Sequence, residues 1–181
     1  LWNTNKLLWW YDGTDGFKTG WTQEAKYCLA STVERNGLRL IAVVLGVPQV
    51  RGHFDESMKI YNYGFAKYSY KEFAPARSKQ GEIVIHKGAK PVVDIIAEQA
   101  VGTSVEKGKE DDCRIETKIE SNVSAPIVKG QVLGEIIVFC SNEELNRIKL
   151  IASEGVEKAS FLEMIKRTIY ESYRMTPSFV H

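Results

Sequence analysis

The chain has 181 residues, 44% of them hydrophobic and 26% charged, which is typical of an ordinary globular protein with one domain or two small ones. A formal net charge of +1 excludes the strong basic field of a nucleic-acid-binding protein, and equally an acidic field for cations. Function should therefore come from a local site. No apolar run approaches the roughly twenty residues that span a bilayer.

The cysteines and histidines are few and lack the spacing of metal ligands, so we expect no metal and no cofactor. Three cysteines cannot all pair with one another, so at least one is free or bonded outside the chain. Cys28 lies in a strand pattern and is interpreted as a small buried apolar residue. The pairing of the other two, Cys113 and Cys140, stays open.

The first third of the chain predicts a sheet. An aromatic run, Lys6 to Tyr11, favours a strand. Tyr27 to Val33 alternates, and Leu38 to Leu45 returns as an almost continuous apolar run, which predicts a strand covered on both faces. Between the two, Asn36-Gly37 favours the positive φ angles of a type I′ turn, so these strands should form a hairpin.

The period then changes to that of a helix. Apolar residues recur at steps of four and three, which predicts one buried helical stripe packed on the sheet. Its members are Phe54, Met58, Tyr61, Phe65 and Tyr68.

From about Lys71 onward short apolar runs alternate with turn residues, which predicts a small all-β sandwich. The polar run at 106–112 should be an exposed loop between strands. The six predicted strands are Glu82 to His86, Val92 to Ile96, Ala100 to Val105, Cys113 to Ile119, Val132 to Phe139 and Arg147 to Ala152.

The last predicted element is an amphipathic helix from about Val156 to Arg174. Its residues alone favour docking on the β domain or on a neighbouring chain. The apolar stripe consists of Leu162, Ile165, Ile169 and Tyr173, with cations and acids on the remaining surface.

Chemistry is concentrated in the strand-like run from Phe17 to Thr22, where a cation, a hydroxyl and a glycine are consecutive. On an extended strand Lys18 and Thr19 should point to opposite sides unless the strand twists there or Thr19 lies at its rim. Gly20 lacks the Cβ that would block a ligand, so the strand could offer an anion a charge and a hydroxyl beside an extended peptide. Taken alone, such a tripeptide is also expected by chance. Turns are predicted before it by Asp12-Gly13 and Asp15-Gly16.

Six segments spread over nearly the whole chain share one resemblance. They are Asn3 to Leu8, Asp15 to Thr22, Glu24 to Leu29, Arg39 to Gly46, Glu56 to Phe65 and Ala125 to Gly134. Together they closely resemble the C-terminal part of D-alanyl-D-alanine carboxypeptidases, the low-molecular-mass penicillin-binding proteins, and are most similar to the sporulation-type enzymes of Gram-positive, spore-forming bacteria. The resemblance implies that a larger N-terminal part precedes Leu1.

The resemblance implies an α+β organisation in three parts. Residues 1–70 would be the remnant of a transpeptidase-like sheet and helix, and residues 71–153 the β-sandwich domain. Residues 154–181 would form the amphipathic helix and tail, which in this family lies in the membrane surface through residues 156–174. The parent protein would act at the outer face of the bacterial cytoplasmic membrane.

It also implies a serine peptidase that cleaves the terminal D-alanine from peptidoglycan stem peptides ending in D-Ala-D-Ala, through an acyl-serine intermediate, and that binds β-lactams. Lys18 would supply positive charge beside the nucleophile, and Thr19 would bind the terminal carboxylate. Gly20 would allow close approach, and the backbone N–H of Trp21 would be an oxyanion-hole donor.

Two features depart from the family pattern. The Ser-x-x-Lys match at Ser104 to Lys107 runs into a charged loop, and no Ser-x-Asn motif accompanies it, so we expect this chain to lack the nucleophile and to be inactive alone. His53 stands where several relatives carry an arginine. It could be a weak carboxylate contact, a group titrating near neutral pH, or an exposed histidine before a helix, and we favour the last.

A second hypothesis of a different class is a non-catalytic β-sandwich module that binds a partner or acts as a spacer at the cell envelope. In that case Lys18-Thr19-Gly20 would be accidental. Neither hypothesis involves nucleic acid.

Overall fold

A computed structural model describes residues 2–160, which are mostly β-sheet with two α-helices. The described chain divides into two compact units. Unit 1 comprises residues 2–71 and 103–112, and unit 2 comprises residues 72–102 and 113–160. Among these residues, no helix has the length and apolar composition to cross a membrane.

Unit 1 is a three-stranded antiparallel sheet in the order β1-β2-β3, with one long helix packed on one face. Its core is a cluster of buried side chains from the sheet and both helices: Leu7, Leu29, Val33, Ala42, Phe54 and Tyr61. Its elements are α1 (Leu7–Trp10), β1 (Thr14–Thr22), β2 (Lys26–Arg35), β3 (Leu38–Val47) and α2 (Gly52–Lys67).

The predicted hairpin is confirmed. Arg35 pairs with Leu38 across a two-residue turn in which Asn36 has φ 50° and Gly37 has φ 78°. A Cβ added at Gly37 would lie 2.9 Å from the ring of Tyr70, so both the backbone angle and the available space require glycine there.

The predicted helix on the sheet is also confirmed as α2, whose buried side includes Phe54 and Tyr61. The buried Tyr61 hydroxyl donates to Ser31 Oγ on β2 at 2.8 Å. Gly64 lets the helix approach β3, because a Cβ there would lie 2.6 Å from Leu40 Cδ1.

The predicted strand from Lys6 to Tyr11 is wrong, because Leu7–Trp10 forms one turn of helix. Asn5 Oδ1 accepts the Leu7 N–H at 3.1 Å, and the Trp10 and Tyr11 N–H groups then donate to the carbonyls of Lys6 and Leu7. A local side-chain hydrogen bond therefore overrides the strand preference of the aromatic residues.

Two further predictions are wrong: the turn at Asp15-Gly16, and the covering of the strand Leu38 to Leu45 on both of its faces. Asp15 and Gly16 lie inside β1, at an irregularity in its register with β2. On β3 the alternate residues Ile41, Val43 and Leu45 are 67%, 61% and 71% exposed, because α2 covers only the other face.

Two strands, β4 (Tyr68–Ala74) and β7 (Val101–Glu106), form a separate pair. The main sheet of unit 2 has the order β8-β10-β11-β6-β5-β9. Its strands are β5 (Lys79–His86), β6 (Val92–Ala97), β8 (Cys113–Ile119), β9 (Val123–Ser124), β10 (Val132–Cys140) and β11 (Glu143–Ala152).

All six strands predicted for this half of the chain form, within a few residues of the expected limits. The 106–112 run carries a short 3₁₀ helix, Glu110–Asp112, between β7 and β8. The core of unit 2 contains Ile95, Leu133, Ile136 and Leu150, each 0% exposed.

A disulfide joins Cys113 and Cys140, which face each other across β8 and β10 with their Cα atoms 4.0 Å apart. Cys28 is free and only partly buried, with Sγ 3.3 Å from the Ala25 carbonyl oxygen, so its interpretation as a buried apolar residue is wrong.

The predicted C-terminal helix does not begin at Val156. Val156 forms a β-bridge with Ile127, and Lys158 forms one with Gly88, so residues 156–160 belong to unit 2. The rest of the predicted helix, at 161–174, lies outside the described residues.

Candidate functional site

The candidate site lies on β1, an edge strand of the unit 1 sheet. Lys18 pairs with Ala30, Thr19 with Leu29 and Gly20 with Cys28 on β2. A Cβ at Gly20 would come no nearer than 4.0 Å to the Cys28 side chain, so internal packing does not require glycine at this position.

The segment before α1 runs beside β1 and is attached to it through two asparagines. Asn3 Nδ2 donates to the Phe17 carbonyl at 2.8 Å, and the fully buried Asn5 donates from Nδ2 to the Gly16 carbonyl at 3.0 Å. Asn3 Oδ1 accepts the Asn5 N–H at 3.0 Å. These bonds give two consecutive carbonyls of the edge strand, next to the irregularity in its register, hydrogen-bond partners from a preceding segment of the chain.

Thr4, between the two asparagines, joins the functional groups of the strand. Its hydroxyl is in close hydrogen-bond contact with the Thr19 hydroxyl, and Lys18 Nζ donates to Thr4 Oγ1 at 3.3 Å. Lys18 Nζ also donates to the Thr19 carbonyl at 3.2 Å. The sequence predicts that Lys18 and Thr19 point to opposite sides of the strand. Both nevertheless contact Thr4, because the long Lys18 side chain places its Nζ within hydrogen-bond distance of Thr4 Oγ1 and the Thr19 carbonyl.

The backbone direction along β1 follows from these contacts. The carbonyls of Phe17 and Thr19 each accept a side-chain donor, Asn3 Nδ2 and Lys18 Nζ respectively, and alternate residues of a strand present their backbone groups to the same side. The backbone N–H of Trp21 consequently faces the same free edge as the Thr19 carbonyl.

A cavity of about 290 Å³ opens beside this edge, and Thr4, Thr19 and Gly20 contribute to its lining. Aromatic rings form one wall. The centroids of Trp21 and Tyr27 lie 6.2 Å apart, and the Tyr27 ring stacks on His53 at 5.4 Å with an interplanar angle of 8°. Two cations, Lys6 and Arg51, also belong to the lining and give it a positive character.

His53 is not the exposed histidine that we favoured from the sequence. It is the second residue of α2 and only 4% exposed, between Tyr27 and Phe54, and its Nδ1 has no hydrogen-bond partner among the described residues. Burial lowers the pKa of His53, and the negative charge of Asp55 partly opposes that shift. Burial in the cavity wall therefore disfavours the charged form of the imidazole.

Ser104 and Lys107 do not form a nucleophile pair in this structure. Ser104 lies on β7, and Lys107 Nζ donates to the Phe65 carbonyl at 2.7 Å. Residues three apart share a face on a helix but not on a strand.

Sequence reasoning gave no role to Asn3, Thr4 or Asn5. The signal was an Asn-x-Asn pattern before the aromatic run, but its partners are on β1, more than ten residues away. No group of His, Cys, Asp and Glu residues suited to a metal ion occurs within residues 2–160.

Comparison with known families identifies the chain. The model of the penicillin-binding protein 5 C-terminal domain matches residues 68–158, and that of the D-alanyl-D-alanine carboxypeptidases matches residues 1–49. The chain belongs to the low-molecular-mass penicillin-binding proteins, of which it represents a C-terminal part.

Curated members of this family are similar along most of the chain. D-alanyl-D-alanine carboxypeptidase DacF of Bacillus subtilis is 32% identical over 168 residues, which is 92% of this chain and 43% of that protein. DacA of Haemophilus influenzae is 34% identical over 162 residues, 87% of this chain and 41% of that protein. The chain thus spans less than half the length of the relatives it matches.

A solved structure of the family has a similar fold. Penicillin-binding protein 5 from Haemophilus influenzae superposes with a TM-score of 0.69 at 30% identity, covering 85% of this chain and 46% of that one.

Proposed function

We propose that the chain is the C-terminal portion of a serine-type D-Ala-D-Ala carboxypeptidase that removes the terminal D-alanine from peptidoglycan stem pentapeptides through an acyl-serine intermediate and binds penicillin. The observation that carries the proposal is the Lys18-Thr19-Gly20 edge of β1. It combines a cation, a hydroxyl and free backbone groups beside a positively lined cavity.

Each residue has a role in this proposal. Lys18 supplies positive charge next to the attacking serine, and the Thr19 hydroxyl binds the terminal carboxylate of the peptide. Gly20 leaves room for the ligand, which agrees with the lack of any packing need for glycine there. The Trp21 N–H, on the free edge, donates to the oxyanion, an interaction worth about 2.7–4 kcal/mol in the transition state.

His53 is at most a secondary substrate contact, because its imidazole is buried between aromatic rings and burial disfavours its charged form. The nucleophile belongs to a part of the parent protein before residue 1. The strand position of Ser104 supports this assignment, and the chain alone would then be inactive. In this proposal residues 1–70 are the last part of a transpeptidase-like catalytic domain, and residues 71–153, apart from the 103–112 segment that belongs to unit 1, are a small β sandwich.

We place the parent protein at the outer face of the bacterial cytoplasmic membrane, in cell-wall metabolism, with the part of the predicted amphipathic segment that follows residue 160 as the membrane-surface contact, since residues 156–160 belong to unit 2. The Cys113–Cys140 disulfide supports an extracytoplasmic location, because such bonds persist in oxidising compartments. A role during sporulation rests on the resemblance alone.

The experiment is covalent labelling by a fluorescent penicillin, read by intact mass. The full-length reading frame containing this chain should gain one penicilloyl group, and this 181-residue chain should gain none. In the long form, Lys18→Ala should slow labelling strongly, whereas Lys107→Ala, the matched control on the dismissed motif, should leave the rate unchanged.

Three results would change the proposal. Labelling of the 181-residue chain would mean that Ser104 is the nucleophile. If Lys107→Ala slowed penicillin labelling of the long form as much as Lys18→Ala does, the Ser104 motif would likewise be implicated in the reaction. If the long form is not labelled at all, the non-catalytic module at the cell envelope becomes the better account of the chain.

A further inference from the structure

The contacts of Thr4 go beyond the functional residues expected from the sequence. We infer that Thr4 is a positioning residue of this site, whose hydroxyl relays the positive charge of Lys18 to the Thr19 hydroxyl and so directs Thr19 toward an anionic ligand. The inference rests on the proposed function of the β1 edge.

The direction of the relay follows from the number of hydrogens available. An ammonium group only donates, so at 3.3 Å from Lys18 Nζ the Thr4 oxygen is an acceptor. A hydroxyl has one hydrogen, and Thr4 and Thr19 share a single close contact. If Thr4 donates its hydrogen to Thr19, the hydrogen of Thr19 is left for a ligand.

The opposite arrangement would use up the hydrogen of Thr19 on Thr4 and leave nothing to donate to a ligand. The charge of Lys18 selects against it, because accepting a bond from a cation polarises the Thr4 hydroxyl and makes it a stronger donor. The chain of donors therefore runs from Lys18 through Thr4 to Thr19 and ends in the cavity.

Thr4 is held in place from both sides. Asn3 and the fully buried Asn5 anchor the backbone on either side of it to the carbonyls of Phe17 and Gly16. Thr4 itself is exposed and lines the cavity together with Thr19. Its hydroxyl is thus presented to the site by one buried and one exposed asparagine anchor, while its own side chain contributes little to the core.

The ligand group at the end of the relay is an anion. A hydroxyl freed to donate, close to Lys18 and to the two cations of the lining, Lys6 and Arg51, matches a carboxylate. Under the proposed function this is the C-terminal carboxylate of the peptide or the carboxylate of a penicillin.

The test compares Thr4→Val, which keeps the shape but loses the hydroxyl, with Thr4→Ser, which keeps the hydroxyl, in the full-length protein. We expect Thr4→Val to reduce the second-order rate of benzylpenicillin acylation about tenfold, the effect of one charge-assisted hydrogen bond. The loss should fall on binding and not on the maximal acylation rate. Thr4→Ser should stay within about twofold of wild type, and both variants should keep the melting temperature.

A double-mutant cycle separates the relay from a structural role. In a Thr19→Val background, Thr4→Val should have no further effect, because the relay already lacks its last member. The tenfold loss should also vanish for a peptide ending in D-Ala-D-Ala amide, compared with the same peptide ending in the free carboxylate.

The outcomes are distinguishable from failure of the proposed function. A wild-type protein that is not acylated overturns both. A wild-type protein that is acylated normally, with Thr4→Val equally fast or with additive losses in the Thr19→Val background, overturns the relay and leaves the carboxypeptidase proposal standing.

Discussion

Unit 1 and unit 2 differ in how far the described residues cover their own sheets. In unit 2 the central strands bury Ile136 and Leu150 completely, and a disulfide closes one end of the β8–β10 pair. In unit 1 the β3 strand is buried on the α2 side, yet it exposes Ile41, Val43 and Leu45 on the other. The unit with the more open sheet carries the candidate chemistry, and the unit with the more complete core carries none of the predicted site residues.

The comparison shows that a site built on a sheet edge needs unpaired backbone and open space, which a closed core does not leave. The stability of each unit can be measured separately, because all four tryptophans, at 2, 9, 10 and 21, belong to unit 1. Tryptophan fluorescence therefore reports the unfolding of unit 1, and circular dichroism at strand wavelengths adds that of unit 2.

The largest effect should come from removing the disulfide. Replacing Cys113 and Cys140 by serine should lower the free energy of unfolding of unit 2 by about 3–4 kcal/mol, because the bond closes a long segment and restricts the unfolded chain. Urea denaturation followed by circular dichroism measures the change. Cys28→Ser is the matched control and should leave it unaltered.

The core of unit 2 gives the next largest effect. Leu150→Ala removes a side chain that is 0% exposed and should destabilise unit 2 by about 3 kcal/mol, through lost burial and the cavity left behind. Leu45→Ala, at 71% exposure on β3, should change the stability of unit 1 in this chain by less than about 0.5 kcal/mol.

The same pair of leucines sharpens the comparison in the longer protein. Equal losses at Leu150 and Leu45 in this chain would contradict the difference between the two sheets. A large loss at Leu45 seen only in the full-length protein would show that its other parts cover β3.

Within unit 1, the buried hydroxyl pair should matter less than a core leucine. Tyr61→Phe removes the 2.8 Å bond to Ser31 and leaves the buried Ser31 hydroxyl without its donor, at a cost of about 1–2 kcal/mol. Tryptophan fluorescence in urea measures it. Adding Ser31→Ala should recover part of the loss, and a strictly additive second loss would argue against a direct bond.

The smallest effect should be the pH dependence from His53. Because its folded pKa lies below the ordinary value of 6.5, the unfolded chain binds a proton more readily than the folded chain as the pH falls. The contribution is fully present above about pH 6.5 and is lost below it. Fluorescence-detected unfolding of wild type at pH 7 and pH 5, compared with His53→Phe, measures the difference.

The control for that prediction is the variant itself. His53→Phe keeps an aromatic ring against Tyr27 and cannot titrate, so its stability should fall less over the same pH range. A parallel fall in both proteins would assign the acid sensitivity to other groups.

Much of the fold was predictable because local rules determine it. Asn36-Gly37 requires the positive backbone angles that the hairpin shows, and the apolar period of α2 matches the side that it buries. The strands of unit 2 follow from short apolar runs between turn residues. In each case the cause and the effect lie within a few residues of one another.

The sequence misled where a distant partner decides the outcome. The turn at α1 depends on the side chain of Asn5, which β1 holds in place, and the burial of His53 depends on Tyr27 from β2. Lys18, Thr19 and Gly20 do lie on a strand, β1, as the sequence predicts. Their link through Thr4 was not predictable, because it joins segments about fifteen residues apart.

The Cys113–Cys140 bond also changes how the protein would behave under mechanical tension. The two cysteines are 27 positions apart, and a fully extended segment of that length would reach about 90 Å. With the bond intact, pulling the chain from both ends cannot release this length, since the force passes directly from one cysteine to the other. An oxidised chain should therefore extend less than a reduced one in an optical trap, with β9 hidden inside the closed ring.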